Sequence, residues 1–336
     1  MKMNKCILKL TAALALVFAV SSCSKKVQKV PELVWHEDFE AAKKAAAKEN
    51  KGIMLLFTGS DWDKYSKKFK KNVVESEKFL IKFANDYVFV NLDFTEKEFN
   101  AAYLVRERTE EEQQRHEELQ RRFFEKEHLG RDVYNVNQYP SVFFLTQEGW
   151  YLDSIIYTDE VSTFEGFEKT VHYDQIKKLS ACADKIRESS GVEKAEAVNT
   201  FYETIPPVYI SSITDLIENF PAYDPENKTG YLGKFEQAEA YFEAYALNSK
   251  GEDASVVYIK VAEDVTNHLS AAERQNMYSM AVLVKLQLGK DTGKYDYEGI
   301  INYLQKAYDI DPQNEIAPDI LYQLEKAKQV YREQKQ

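Results

Sequence analysis

Cysteine, glycine and proline are all scarce in this chain, and each shortage excludes something. Three cysteines in 336 residues, Cys6, Cys23 and Cys182, are too few for a disulfide framework or a cysteine-type zinc site. Twelve glycines and eight prolines argue against a strand-and-turn fold and for long helices. No glycine-rich phosphate loop is present: Gly59 stands alone, and Lys51-Gly52 precedes an apolar run. The five histidines, His36, His116, His128, His172 and His268, form no i,i+4 pair and no H-E-x-x-H motif, so neither a metal nor a cofactor is expected. A basic surplus is also missing. The formal net charge of −11 disfavours a nucleic-acid partner, which needs clustered Lys and Arg. What the chain does have is 44% hydrophobic residues and 22 tyrosines, enough to build a sizeable core over two domains of ordinary size.

The N-terminus departs from the rest. Lys2, Lys5 and Lys9 form a basic start, and Leu10 to Val20 is an apolar run too short to span a bilayer as a permanent helix. Small residues then lead into Val20-Ser21-Ser22-Cys23. This order resembles a bacterial lipoprotein signal peptide, and a plain secretory signal is the alternative. The resemblance implies cleavage before Cys23 and acylation of that residue. The protein would then be exported and held at a membrane, on its periplasmic or cell-surface face, by more than one acyl chain. Residues 1–22 are set aside as signal, and residues 23–33, mildly basic, read as a tether. Losing three lysines and no acid deepens the net charge from −11 to −14. Cys182 would be the only free thiol left, so no intramolecular disulfide could form.

The remaining chain divides by pattern into residues 34–180, where α and β signals interleave, and 181–336, where they are helical. WHEDFEAAKKAAAKE, 35–49, reads as a helix with Asp38 near its start. GIMLLFTG, 52–59, and YVFVNLDF, 87–94, read as buried strands flanking one helix over 64–84. Helix–strand–helix–strand order implies parallel pairing through a crossover. The charged stretch from Thr95 to about Arg131 predicts a helix with i,i+4 pairs Glu111–Arg115, Glu117–Arg121 and Glu118–Arg122. It is read as a solvated helix packed through Leu119, Phe123 and Phe124, with an interaction arm as the alternative reading. SVFFL and WYLDSIIY, separated by QEG, predict a β-hairpin, and 162–179 a closing helix. Helices follow near 175–190, 193–203, 208–219, 233–247, 254–268, 271–288, 296–310 and 316–333. The helix at 297–310, ending in Ala307-Tyr308-Asp309-Ile310-Asp311-Pro312, resembles the second helix and exit turn of a tetratricopeptide repeat, although no regular period runs through the region.

Three stretches resemble the thioredoxin fold, more narrowly the secreted thioredoxin-like proteins. They are the apolar strand running into Thr58-Gly59-Ser60-Asp61-Trp62 with Lys67 and Lys68 beyond it, the LDF at 92–94, and Val136-Asn137-Gln138-Tyr139-Pro140-Ser141-Val142. The resemblance implies an α/β thioredoxin-like domain, a mixed sheet flanked by helices, followed by an all-α, helical-hairpin domain. It makes Pro140 the family's cis-proline, and it matches the attacking and resolving cysteines to Asp63 and Ser66. A carboxylate cannot form a mixed disulfide, and a hydroxyl needs a general base, so dithiol exchange at this turn is excluded and no catalytic residue is expected. Asp61 and Asp63, two apart, could pair for acid–base work but read better as helix caps. Cys182, with Leu179 and Ile186, reads as a small core residue; a reactive thiol is the alternative. What the resemblance leaves is a peptide-binding groove of Trp62, Tyr65, Tyr139 and Pro140, where an extended segment could add as a strand, or a remnant of one. The expected function is non-catalytic, lipid-anchored protein binding at the cell envelope. The alternatives are an envelope thiol–disulfide oxidoreductase or isomerase using Cys182 or a partner's thiol, and a purely structural envelope protein.

Overall fold

The computed structural model describes residues 34–104 and 109–335. The expected signal peptide, tether and lipidated Cys23 lie outside the described residues. Trp35–His36 opens the chain as a two-residue strand, β1, not as the first turn of a helix. Asp38 then caps α1, Phe39–Glu49, by accepting the Ala41 N–H at 2.6 Å. The helix ends on Asn50 in the left-handed region, φ 52°. Strand β2, Gly52–Thr58, is buried from Ile53 onward, as its unbroken apolar run requires of a strand covered on both faces.

The single helix expected over 64–84 is two. Helix α2, Lys64–Phe69, runs into a π turn at Lys70–Val74 and stops. Ser76 restarts the chain as the cap of α3, Glu77–Phe83: its hydroxyl donates to the Val73 carbonyl at 2.6 Å and accepts the Phe79 N–H at 3.3 Å. Strand β3, Tyr87–Asp93, follows. The charged segment forms α4, Glu96–Tyr103, and α5, Glu110–His128, the latter started by a Thr109–Glu112 capping box. Of the expected ion pairs Glu118–Arg122 forms at 3.1 Å, whereas Arg121 turns to Glu118 and Glu125. Phe123 is buried, but Phe124 is exposed.

Strands β4, Ser141–Leu145, and β5, Tyr151–Ile156, form the expected hairpin. The sheet order is β1-β3-β2-β4-β5, with β2 and β3 parallel and β2 and β4 antiparallel. A mixed five-stranded sheet of this kind, with helices packed on it, is the expected thioredoxin-like layout. The closing helix is again divided, into α6, Phe164–Thr170, and α7, Tyr173–Glu188. The cause is Asp153 on β5, which is buried and accepts both the backbone N–H of His172 at 2.9 Å and its ring Nδ1 at 3.1 Å. Bonding to a side chain takes that N–H out of the helical ladder.

From there the chain is helical: α8 Gly191–Thr204, a 3-10 turn at Pro207–Ile213, α9 Thr214–Glu218, α10 Phe220–Tyr223, α11 Leu232–Ser249, α12 Ser255–Glu263, α13 Ala271–Thr292, α14 Tyr297–Ile310 and α15 Ala317–Gln334. The expected boundary at 180 falls inside α7, and one continuous apolar core runs from Phe39 to Ala238. A second core, Ala240 to Leu324, joins α11 through α15. The two cores therefore meet within α11.

Candidate functional site

The end of β2 and the start of α2 form a tightly bonded turn. Asp63 has extended backbone dihedrals and caps α2; its carboxylate accepts the Ser66 N–H at 2.7 Å and the Tyr65 N–H at 3.3 Å. The Ser66 hydroxyl donates to the same carboxylate at 2.7 Å and accepts the Gly59 N–H at 3.1 Å. Ser66 is only 1% exposed. Asp61 is spent differently. It accepts the Glu96 N–H at 2.9 Å and the Lys97 N–H at 3.3 Å, the free amides at the start of α4. Those amides, the Glu96 one foremost, hold its carboxyl below the usual carboxylate range. Each acid thus serves a different helix start, and the pairing for acid–base work weighed above has no geometry behind it.

Trp62 is 50% exposed yet fixed. Its indole N–H donates to the Phe94 carbonyl at 2.7 Å, and its ring meets Tyr139 edge-on at 5.7 Å. The backbone of Gly59 runs against this ring so closely that a Cβ there would come within 2.5 Å of it. Glycine is required here by close approach, not by its dihedral angles. Tyr139–Pro140 is a cis peptide bond, and Tyr157 donates its N–H to the Pro140 carbonyl at 3.2 Å. Tyr157 in turn lies 5.1 Å, ring to ring, from Tyr65. The four groove residues read from the sequence are therefore linked in one place: Trp62 to Tyr139 directly, and Tyr65 to Pro140 through Tyr157. Burial pushes the Tyr139 phenol up to about 12.

Sequence reading missed the floor beneath. Asp93 accepts from Thr58 Oγ1 at 2.8 Å, from the Ser60 N–H at 2.8 Å and from the Ser60 hydroxyl. Lys126 of α5 donates to the Asp93 carbonyl at 2.8 Å and pairs with Glu98 of α4 at 2.5 Å, tying the charged insertion to the turn. Phe94 lies 5.5 Å from Tyr139 and 6.0 Å from Phe123, extending the aromatic contact into α5. The only signal for this in the sequence was the LDF triplet ending β3.

Residues 34–146 match a family model described as thioredoxin-like. This part of the chain is a thioredoxin-like domain. Among solved structures, one titled "DsbH Oxidoreductase" is similar at 21% identity over 52% of this chain and 95% of its own, with a TM-score of 0.30. No curated protein matches. Beyond β5 the described chain is helical, and no helix among the described residues is long and apolar enough to cross a membrane. No group of His, Cys, Asp or Glu among the described residues could hold a metal ion.

Cys182 lies on α7, half-buried and packed against the first core, while its neighbours Leu179, Ala183 and Ile186 are fully buried. Burial raises its thiol above the ordinary cysteine value, although Lys178 and Lys185 oppose the shift. Fewer thiolates form at neutral pH as a result.

Proposed function

We propose that this protein is a non-catalytic thioredoxin-like lipoprotein, anchored through Cys23 at the cell envelope, whose groove at Trp62, Tyr65, Tyr139 and Pro140 binds partner proteins. One observation carries the non-catalytic reading: the carboxylate of Asp63 and the hydroxyl of Ser66 stand at the α2 N-terminus, bonded to each other and to three backbone amides. The positive end of a helix favours a thiolate at this position. Here the same field is met by a carboxylate, which satisfies the amides and cannot attack sulfur. The half-buried, less acidic Cys182 is a poor substitute nucleophile.

Binding is supported by what the fold leaves open. The N–H and C=O of Tyr139 form no hydrogen bond within the described chain, and strand pairing begins only at Ser141. Unpaired backbone beside exposed aromatic rings suits an extended peptide added as a short strand. An insulin-reduction assay tests the reading. The expected result is no turnover above buffer from the full chain; turnover that disappears in Cys182→Ala would replace this reading with the oxidoreductase one. The Asp63→Cys/Ser66→Cys double variant should acquire a reducible pair, since residues i and i+3 share a helix face about 5 to 6 Å apart.

A further inference from the structure

Beside the groove, α2 and the turn after it carry a run of lysines that no carboxylate of the described residues pairs. Between Lys64 and Val74 the chain carries five lysines, Lys64, Lys67, Lys68, Lys70 and Lys71, and no acid. All five are exposed. Several lysines elsewhere pair with carboxylates: Lys78 with Glu165, Lys82 with Glu168 at 2.9 Å, Lys285 with Asp253 at 2.8 Å. None of the five has such a partner among the described residues. Lys64 instead lies over the Tyr65 ring at 4.8 Å, and Lys67 reaches back to the Asp61 carbonyl at 2.7 Å, which places both ammonium groups at the groove. Lys64 also stands at the first position of α2, where a cation opposes the helix dipole. In a chain with a net charge of −11, this concentration of unpaired positive charge is local and costs stability where it begins.

The acids nearest the groove do not neutralise it. Asp61 and Asp63 are occupied by backbone amides at the starts of α4 and α2, whose partial positive charge offsets theirs. The buried hydroxyl of Tyr157, beside Tyr65, has no hydrogen-bond partner, so folding leaves a polar group unsatisfied next to the same surface.

We infer that the groove takes an acidic, extended peptide segment of a partner protein: carboxylates meet the lysine rim, the segment's backbone pairs with Tyr139, and an apolar or aromatic side chain rests on Trp62 and Tyr65. This deepens the binding reading above and rests on it. An added strand is favoured over an anionic membrane surface because Tyr139 offers backbone donor and acceptor groups, which lipid headgroups do not match in register. The chain's own segment 23–33 is not the occupant, because it carries Lys25, Lys26 and Lys29 against a single Glu32.

Fluorescence anisotropy with the purified full chain tests the inference. Three labelled peptides of equal length, alternating tyrosine with glutamate, with glutamine or with lysine, are compared, alongside flotation on phosphatidylcholine vesicles with and without phosphatidylglycerol. The glutamate peptide should bind tightest and weaken with salt. The Lys64→Glu/Lys67→Glu variant, both at exposed positions, should weaken it by about tenfold or more and the glutamine peptide by distinctly less. Trp62→Ala, which removes a ring the peptide's side chain rests on, should weaken both. Equal affinity for glutamate and glutamine peptides would overturn the acidic preference and leave the groove as a peptide site. Binding of no peptide would remove both readings, and flotation only with phosphatidylglycerol would replace the peptide by a membrane surface.

Discussion

Two aromatic surfaces of this molecule share a composition and differ in their fate. At the seam between sheet and helices Tyr151 stacks on Tyr209 at 4.1 Å, among the helices that follow Phe220 stacks on Phe235 at 3.7 Å, and all four rings are buried. At the groove, Trp62 and Tyr65 keep 50% and 41% of their surface exposed although each has a ring partner. The seam is sealed by polar contacts across it: the Trp150 indole donates to Asp215 at 3.0 Å and the Tyr151 N–H to Ser212 at 3.2 Å. No helix of the described chain covers the groove in this way. Aromatic rings that the fold covers contribute to stability; rings held rigid but left uncovered are the kind that anchor a partner.

Breaking a buried stack should have the largest effect. Phe235→Ala removes a fully buried stacked ring and should cost about 3 to 5 kcal/mol in denaturant unfolding. A loss below about 1 kcal/mol would mean that the helical half does not share the first core. Gly59→Ala comes next. Its Cβ would press on the Trp62 ring, so the indole should leave the Phe94 carbonyl, with a shift in tryptophan fluorescence and a cost of about 1 to 3 kcal/mol. An unchanged spectrum would show that Trp62 is not pinned.

Asp132 tests the join between the halves at a smaller scale. Helix α11 reaches the end of the charged insertion through the Tyr245 hydroxyl, which donates to Asp132 at 2.8 Å. Arg131 beside it holds that carboxyl down at about 2, with His128 and Tyr245 adding to the effect and burial opposing it. Because the folded value lies below the ordinary 3.8, the contribution is complete above about pH 4 and is lost as the pH falls towards 2. Asp132→Asn should flatten the acid limb of the stability curve in that window. An identical acid limb would show that Asp132 does not bind fewer protons in the folded state. The smallest change is expected from Lys67→Glu, within about 0.5 kcal/mol in unfolding, because the residue is exposed and its one bond is to a carbonyl. A larger loss would make the lysine rim structural.

Most of the elements could be read from the sequence, and their limits less so. Apolar runs such as GIMLLF and SVFFL are strands because nothing else buries them on both faces, and Asp38 and Asp63 cap the helices that follow them. The two helix breaks were missed for different reasons. Ser76 is a local signal, a cap that lies inside an otherwise continuous helical pattern. His172 carried no local signal, because the acid that takes its N–H lies on another strand. At the candidate site Trp62 touches Tyr139, and Tyr65 joins Pro140 through Tyr157, which the sequence pattern did not single out. Nor did it single out Asp93 and Lys126, because what matters about them is contact with residues more than thirty positions away.

The sequence alone determined the change from interleaved to helical elements, the parallel pairing of β2 with β3 and the β4–β5 hairpin, and the fact that a carboxylate and a hydroxyl stand at the turn into α2. These depend on residue type and on spacings within a few turns. Only the tertiary structure decided that the first core runs on into α11, that Ser66 is sealed beneath Asp63, and which charges stay unpaired. Those outcomes depend on distances between segments far apart in the chain, and such distances are set by packing.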